Sequence, residues 1–203
     1  MTGKIYDYKN RIVCVASLNT ENEKDESYPK RIYEDMALTL RYIAGKENGK
    51  IEDFRVTDKM LEEWGITEEE AFQTGESNYD SMFRMFIDST GNLMKSIDPD
   101  GDIKKINKNA PLFILSNYDY YYGATIMFKA PVLDDLKKIL GEDYYVVPSS
   151  KNEILISPVS IADVDYLKKM ILKVNSSIAP PEDIMSWYIY RYDCSLGKLI
   201  TVK

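Results

Sequence analysis

The sequence predicts an α+β domain with a mainly antiparallel sheet and helices packed mostly on one side. Three observations lead there. Residues 111–158 read as strand, strand, helix, strand, strand, with Asn, Gly, Pro and Ser where the chain must turn. The helix inside that unit carries an apolar stripe at helical spacing, which needs a partner surface to cover it. A second and longer stripe follows, so the C-terminal half becomes a strand-strand-helix-strand-strand-helix series on which the rest leans. No linker and no fixed-period repeat divides the 203 residues, which predicts one domain over 1–203.

From the N-terminus, RIVCVASL (11–18) is apolar and short enough for a first strand. The polar, charged stretch Asn19 to Lys30 predicts a loop. In 32–44, Tyr33, Met36, Ala37, Leu40 and Ala44 fit a helix, but Met36, Leu38, Leu40 and Tyr42 alternate, and the alternation predicts a strand from about Met36. GKENGK turns the chain, and Ile51 to Val56 returns as a strand. Thr57 caps a short helix that Gly65 ends. Thr67 and Glu70 have the spacing of a capping box, each side chain meeting the other's backbone N–H. That helix is expected to stop at Gly75. A further one from Ser77 or Asn78 places Tyr79, Met82, Phe83 and Phe86 on one face. Residues 88–110 lose periodicity and predict a long loop or insertion. Asp98, Asp100 and Asp102 alternate there as at the start of a calcium loop. Ile103 stands where such a loop needs Gly, however, and Asn109 where it needs a bidentate Glu.

In the central stretch, Leu112–Leu115 and Ala124–Phe128 predict a hairpin joined by Asn117, a tyrosine-rich loop and Gly123. Pro131 suits the first turn of the helix that follows, where its missing N–H has no partner to lose. Val132, Leu133, Leu136, Ile139 and Leu140 form its stripe, and Gly141 its stop. Tyr144–Val147 and Glu153–Ser157 are strands, with Pro148 at the end of the first because proline cannot donate to a ladder. Ser160 and Asp163 open a helix whose stripe is Ile161, Val164, Leu167, Ile171 and Val174. Pro180 and Pro181 break the chain. Ser186–Asp193 is an aromatic strand, and Leu199–Val202 a short edge strand.

Composition excludes more than it specifies. The chain has no histidine, so Ser-His-Asp and Cys-His chemistry and histidine-ligated metal sites are closed to it. Its two cysteines, Cys14 and Cys194, cannot complete a zinc site alone, and Cys14 sits in an apolar run that predicts a buried thiol. A formal net charge of −7 opposes binding to a phosphate backbone, and lysine and arginine look scattered. No apolar run reaches the roughly 18 residues a membrane helix needs. With no leader-like N-terminus and few cysteines, the expectation is a cytoplasmic protein without cofactor, membrane or nucleic-acid partner.

Several segments carry a resemblance: LSNYDYYYGATIMF (115–128), PSSKNEILISP (148–158), VNSSIAPPEDIMSWYIYRYD (174–193), and more faintly 11–22 and 57–70. On these the chain resembles an uncharacterised domain-of-unknown-function family of Clostridia and related gut Firmicutes, and is distantly similar to a bacillary family sharing the Pro-Ser-Ser-x-x-Glu turn. The family pattern places His where this chain has Asn152, so any imidazole chemistry at that position is absent here. The resemblance also implies longer members with sequence ahead of Arg11. It implies no activity.

Two candidate surfaces follow from the residues. Ser149, Ser150 and Glu153, with Asn117, place hydroxyls and a carboxylate in one turn and suit a small polar ligand; the competing reading is serine turn chemistry. Tyr120 and Tyr121, within the run Tyr118 to Tyr122, offer area with a polar tip and suit a protein partner; the competing reading is rings that cover a sheet edge. The functional expectation is a non-enzymatic binding or protein-interaction module. The alternative is a carboxylate-dependent hydrolase assisted by magnesium or manganese, for which no spacing selects a ligand set.

Overall fold

The computed structural model describes residues 7–19, 27–89 and 112–202. Its strands form two antiparallel sheets. The first holds β1 (Ile12–Leu18), β2 (Lys30–Tyr33), β3 (Met36–Glu47) and β4 (Lys50–Arg55). The long β3 is its spine: β1 pairs along one side, and β2 and β4 lie end to end along the other. Asn48 and Gly49, at φ 51 and 78, make the tight β3–β4 turn, a position where Asn-Gly is favoured because both residues need left-handed backbone. The register then slips between Ile43 and Gly45, leaving Ala44 as the extra residue of a bulge. Arg11 donates to the Ala44 carbonyl at 2.9 Å and supports the kink.

The second sheet runs in the order β10 (Lys198–Val202), β9 (Ile189–Asp193), β7 (Tyr144–Ser150), β8 (Glu153–Pro158), β6 (Phe113–Asn117), β5 (Met85–Ser89). Three of the four strands predicted in the central stretch therefore enter this sheet, as β6, β7 and β8. Ala124–Phe128 is no strand. It lies in a 3-10 helix, Gly123–Phe128, with Ala124, Ile126 and Met127 fully buried. A short apolar run cannot distinguish a strand from a buried helical segment, and here the Thr125 hydroxyl takes the Ala16 N–H on the open edge of β1, 2.9 Å away. The true partners of β6 are β8 and β5.

The helices are α1 (Asp58–Trp64), α2 (Glu68–Met82), α3 (Ala130–Leu140) and α4 (Val164–Ser177). Local signals place most of their ends. Thr57 caps α1, and Gly65 closes it at φ 67. Thr67 and Glu70 complete their capping box. Gly141 ends α3 at φ 77, and Asp163 caps α4 through the Tyr166 N–H. The expected break at Gly75 does not occur, and α2 runs on to Met82. Gly75 is there for space: a Cβ would stand 2.8 Å from Leu40 Cδ2 and 2.9 Å from Cys14 Sγ, so glycine lets α2 press onto β1. Phe86, expected on a helix face, belongs instead to β5, whose last residues, Asp88 and Ser89, fall in the expected loop over 88–110. The remainder of that loop, with Asp98, Asp100 and Asp102, lies outside the described residues, as does most of the expected loop from Asn19 to Lys30, whose last residue begins β2. Pro148 lies inside β7 rather than at its end, and the ladder with β8 is irregular between Val147 and Ser150.

Residues of α1, α2, α3 and the 3-10 segment join both sheets in one core with Leu61, Phe72, Tyr79, Leu136, Tyr144 and Tyr192. A second cluster sits on the alternate residues of the larger sheet, where Leu167 and Ile171 of α4 meet Val147 and Ile189. The stripe predicted for α4 is thus its buried face, although Ile161 lies before the helix and is 47% exposed.

Candidate functional site

The sequence points to a tyrosine loop beside a serine turn, and the fold brings the two together. Asn117, at the end of β6, is fully buried. Its Nδ2 donates to Tyr79 Oη at 2.9 Å and to the Tyr121 carbonyl at 2.8 Å, and its Oδ1 accepts the Tyr121 N–H at 3.1 Å. Tyr79 Oη in turn donates to the Tyr122 carbonyl at 3.0 Å. The donors and acceptor of Asn117 are spent on the loop, so it organises tyrosines rather than a ligand. Gly123 then passes against the β7–β8 turn so closely that a Cβ there would overlap Asn152 O and Ser116 Oγ. The Ala124 N–H donates to the Lys151 carbonyl at 3.1 Å and completes the dock.

In the turn itself, Ser149 Oγ donates to Glu153 Oε1 at 3.1 Å, and Ser150 Oγ accepts the Asn152 N–H at 3.1 Å. These are the bonds by which serines hold a turn. Ser149, Ser150 and Glu153 are nonetheless half-exposed, and Glu153 acts on the nearest exposed tyrosine. Burial, then the Glu153 and Asp88 charges, push the Tyr120 hydroxyl above its ordinary pKa. Tyr120 is 40% exposed and stands 5.7 Å from the Phe86 ring, which also meets Tyr118 at 5.2 Å. Tyr120 and Tyr122 adopt φ 49 and 44, a left-handed backbone that costs a non-glycine residue about 1–2 kcal/mol each. The twist turns Tyr121 inward while Tyr120 faces out.

Tyr121 is only 9% exposed, so this member of the predicted pair cannot serve a protein surface. Its ring stacks on Phe83 at 5.1 Å. Its hydroxyl lies against the Asp53 carboxylate and near Arg41, outside strict hydrogen-bond geometry to either, while the contact with Asp53 still helps to raise its pKa. Burial first, and the Asp53 charge second, drive its pKa far up, which keeps it a neutral donor. Arg41 reaches Asp53 at 3.4 Å through Nη1, but its buried Nε has no acceptor.

A second polar cluster escaped the sequence. The turn residue Asp35 accepts from Ser186 Oγ at 2.7 Å and Tyr190 Oη at 3.0 Å on one oxygen, and from the Trp187 N–H at 2.6 Å on the other. Ser186 also accepts the Tyr188 N–H at 3.0 Å. This knot joins the β2–β3 turn to the segment entering β9 across the gap between the sheets. Nothing local in the sequence marks it; an aspartate after a turn glutamate and a serine before an aromatic strand are both commonplace.

A family model for a family of unknown function, DUF5688, matches residues 3–194. The chain belongs to that family. No curated protein and no solved structure matches the chain. Membership brings no reaction with it, so the chemistry must be read from the side chains. Cys14 is buried, with its Sγ 3.4 Å from the Phe72 carbonyl, and burial raises its pKa far above the thiol range. Burial and the Asp143 carboxylate raise that of Cys194 too. Neither thiol is poised as a nucleophile. Among the described residues, no three Asp, Glu or Cys side chains gather as a metal would require, so the metal-assisted hydrolase gains no ligand set here. Among the same residues, no helix is long and apolar enough to cross a membrane.

Proposed function

We propose that the chain is a non-enzymatic, cytoplasmic binding module that recognises a protein partner through the outer half of its tyrosine loop. The observation that carries this reading is Tyr120. It is a large ring left 40% exposed, on a backbone held at φ 49, over an aromatic base of Phe86 and Tyr118. A rigid tyrosine contributes contact area with little conformational entropy to lose, which is why such residues concentrate in interfaces. Beneath it, the Asn117–Tyr79 bonds and the Gly123 dock fix the loop to both the sheet and the serine turn. Glu153 and Ser149 at the border supply the polar rim.

The test is affinity capture with the full chain, Tyr120→Ala, and Leu196→Ala as an exposed apolar control elsewhere, Leu196 being 59% exposed. A partner retained by the wild type and by Leu196→Ala but lost from Tyr120→Ala, at unchanged melting temperature, supports the reading. Equal recovery from all three chains would sink it.

A further inference from the structure

Around Tyr120, one face of the larger sheet sets aromatic rings and carboxylates side by side. Asp88 pairs with Ile114, and Ile114 with Leu155, so these three point to the same face. Phe86 and Glu153 lie two residues along from Asp88 and Leu155 and share that face, because side chains alternate along a strand. Leu155 packs against the cluster that holds Leu167 and Ile171 of α4. Phe86, Asp88 and Glu153, further out, are only half-buried. The Phe86 ring meets both Tyr118 and Tyr120, which brings the outer half of the tyrosine loop to this face as well.

The charge of the surface selects what it can accept. After burial, the Glu153 and Asp88 carboxylates both act on the Tyr120 hydroxyl, so the exposed ring lies within reach of two negative groups. A third, Asp119, is engaged by Lys46. Glu153 accepts Ser149 Oγ at 3.1 Å on one oxygen and pairs with no cation among the described residues. Its other oxygen can accept from an incoming donor. The rings beside it already take one cation, for the Arg84 guanidinium stands 5.5 Å from the centre of Tyr118. The formal net charge of −7 adds a field that draws positive groups and repels negative ones.

We propose that the partner of this surface is a basic peptide segment, one arginine of which lays its guanidinium against the Tyr120 ring and pairs with Glu153. A guanidinium is planar and weakly hydrated, so it can stack on a ring and present donors to a carboxylate at once. A lysine ammonium is held more strongly by water and makes the ring contact less well. An exposed ion pair alone contributes little, and the aromatic contact makes up the difference. The inference rests on the reading of Tyr120 as a contact residue and adds the chemistry of what it contacts.

The test is a titration of the full chain with a short, end-blocked glycine peptide carrying one central arginine, followed through the backbone amide resonances. Saturable shifts are expected at Tyr118 to Tyr120 and at Glu153. Citrulline in place of the arginine keeps its shape and removes its charge, and should weaken binding about tenfold. Tyr120→Ala and Glu153→Gln should each weaken the arginine peptide about threefold. Glu153→Gln retains an acceptor for Ser149, so it keeps the turn intact and serves if Tyr120→Ala disturbs the loop. No saturable shift, citrulline bound as tightly as arginine, or binding unchanged by either substitution overturns the proposal. If it fails in one of these ways while affinity capture still depends on Tyr120, the partner is held without a cation and the protein-interaction reading stands. Capture that does not depend on Tyr120 removes that reading and this inference with it.

Discussion

Asp35, in the β2–β3 turn, and Arg41, in β3, lie six residues apart on one side of the molecule, yet their surroundings differ in kind. The Asp35 carboxylate receives three donors, from Ser186, Trp187 and Tyr190. The Arg41 guanidinium has one carboxylate at 3.4 Å, a ring at 5.9 Å and a buried Nε without an acceptor. A saturated cluster fastens segments that would otherwise separate, because breaking it strands buried polar groups. An unsaturated one holds its segments less firmly, by the bonds it leaves unmade. The two halves of the tyrosine loop repeat the contrast: Asn117 is saturated and structural, whereas the Tyr121 hydroxyl is not.

The sharpest way to break this division is at the saturated side. Gly123→Ala forces a methyl group into the Asn152 carbonyl, which is backbone and cannot swing away. Overpacking of this kind costs about 3 kcal/mol or more, and urea denaturation should show a large loss of stability or no folded protein. A Gly123→Ala midpoint close to the wild type would mean that the loop does not need its dock.

Asp35→Ala comes next. It leaves Ser186 and Tyr190, both fully buried, and the Trp187 N–H without their acceptor, and should cost about 3 kcal/mol in the same assay. Asp35→Asn, which keeps one acceptor, should lose less. Equal losses for the two would show that the knot holds by packing, not by hydrogen bonds.

The smallest of these effects lies at the β9–β10 turn and appears only in acid. The Ser195 hydroxyl, with the Leu196 and Ser195 N–H groups and Arg191, pulls the Asp193 carboxyl from 3.8 down to about 2. A carboxyl depressed in the folded state stabilises above its unfolded pKa and loses that contribution as pH falls through the folded one. Its share of stability is therefore complete above about pH 4 and gone by about pH 2. Asp193→Asn should flatten the acid limb of stability in that window and leave neutral pH behaviour otherwise similar. An unchanged acid limb would place the sensitivity elsewhere.

How much of this was legible in the sequence depends on how far apart the deciding atoms lie along the chain. Thr57, Gly65, the Thr67–Glu70 box, Pro131, Gly141 and Asp163 act within one helical turn, and each sits where its local chemistry puts it. Gly75 misled because its role is contact with Cys14 and Leu40 on other strands, not conformation. The 3-10 segment at Gly123–Phe128 misled because it is buried on every side, which erases any period. The strand β2, Lys30–Tyr33, is polar enough to pass for loop and exists because Met36–Thr39 offers it a partner. For the site, Ser149, Ser150 and Glu153 were readable as turn chemistry, and the tyrosine run as a loop. The facing of Arg41 and Arg55 was not: an Asn-Gly turn alone sets Tyr42 opposite Arg55, and only the extra residue at Ala44 shifts the register by one. The Asp35–Ser186 bond spans 151 residues and rests on how two sheets meet.

The division between saturated and unsaturated clusters is tested most directly by the unfolding free energy of Tyr121→Phe. A hydroxyl that makes no bond in the fold should be missed by nothing, so stability should equal the wild type or exceed it by about 1 kcal/mol. A loss of about 1 kcal/mol or more would show that the hydroxyl is already bonded within the protein, and would contradict the account.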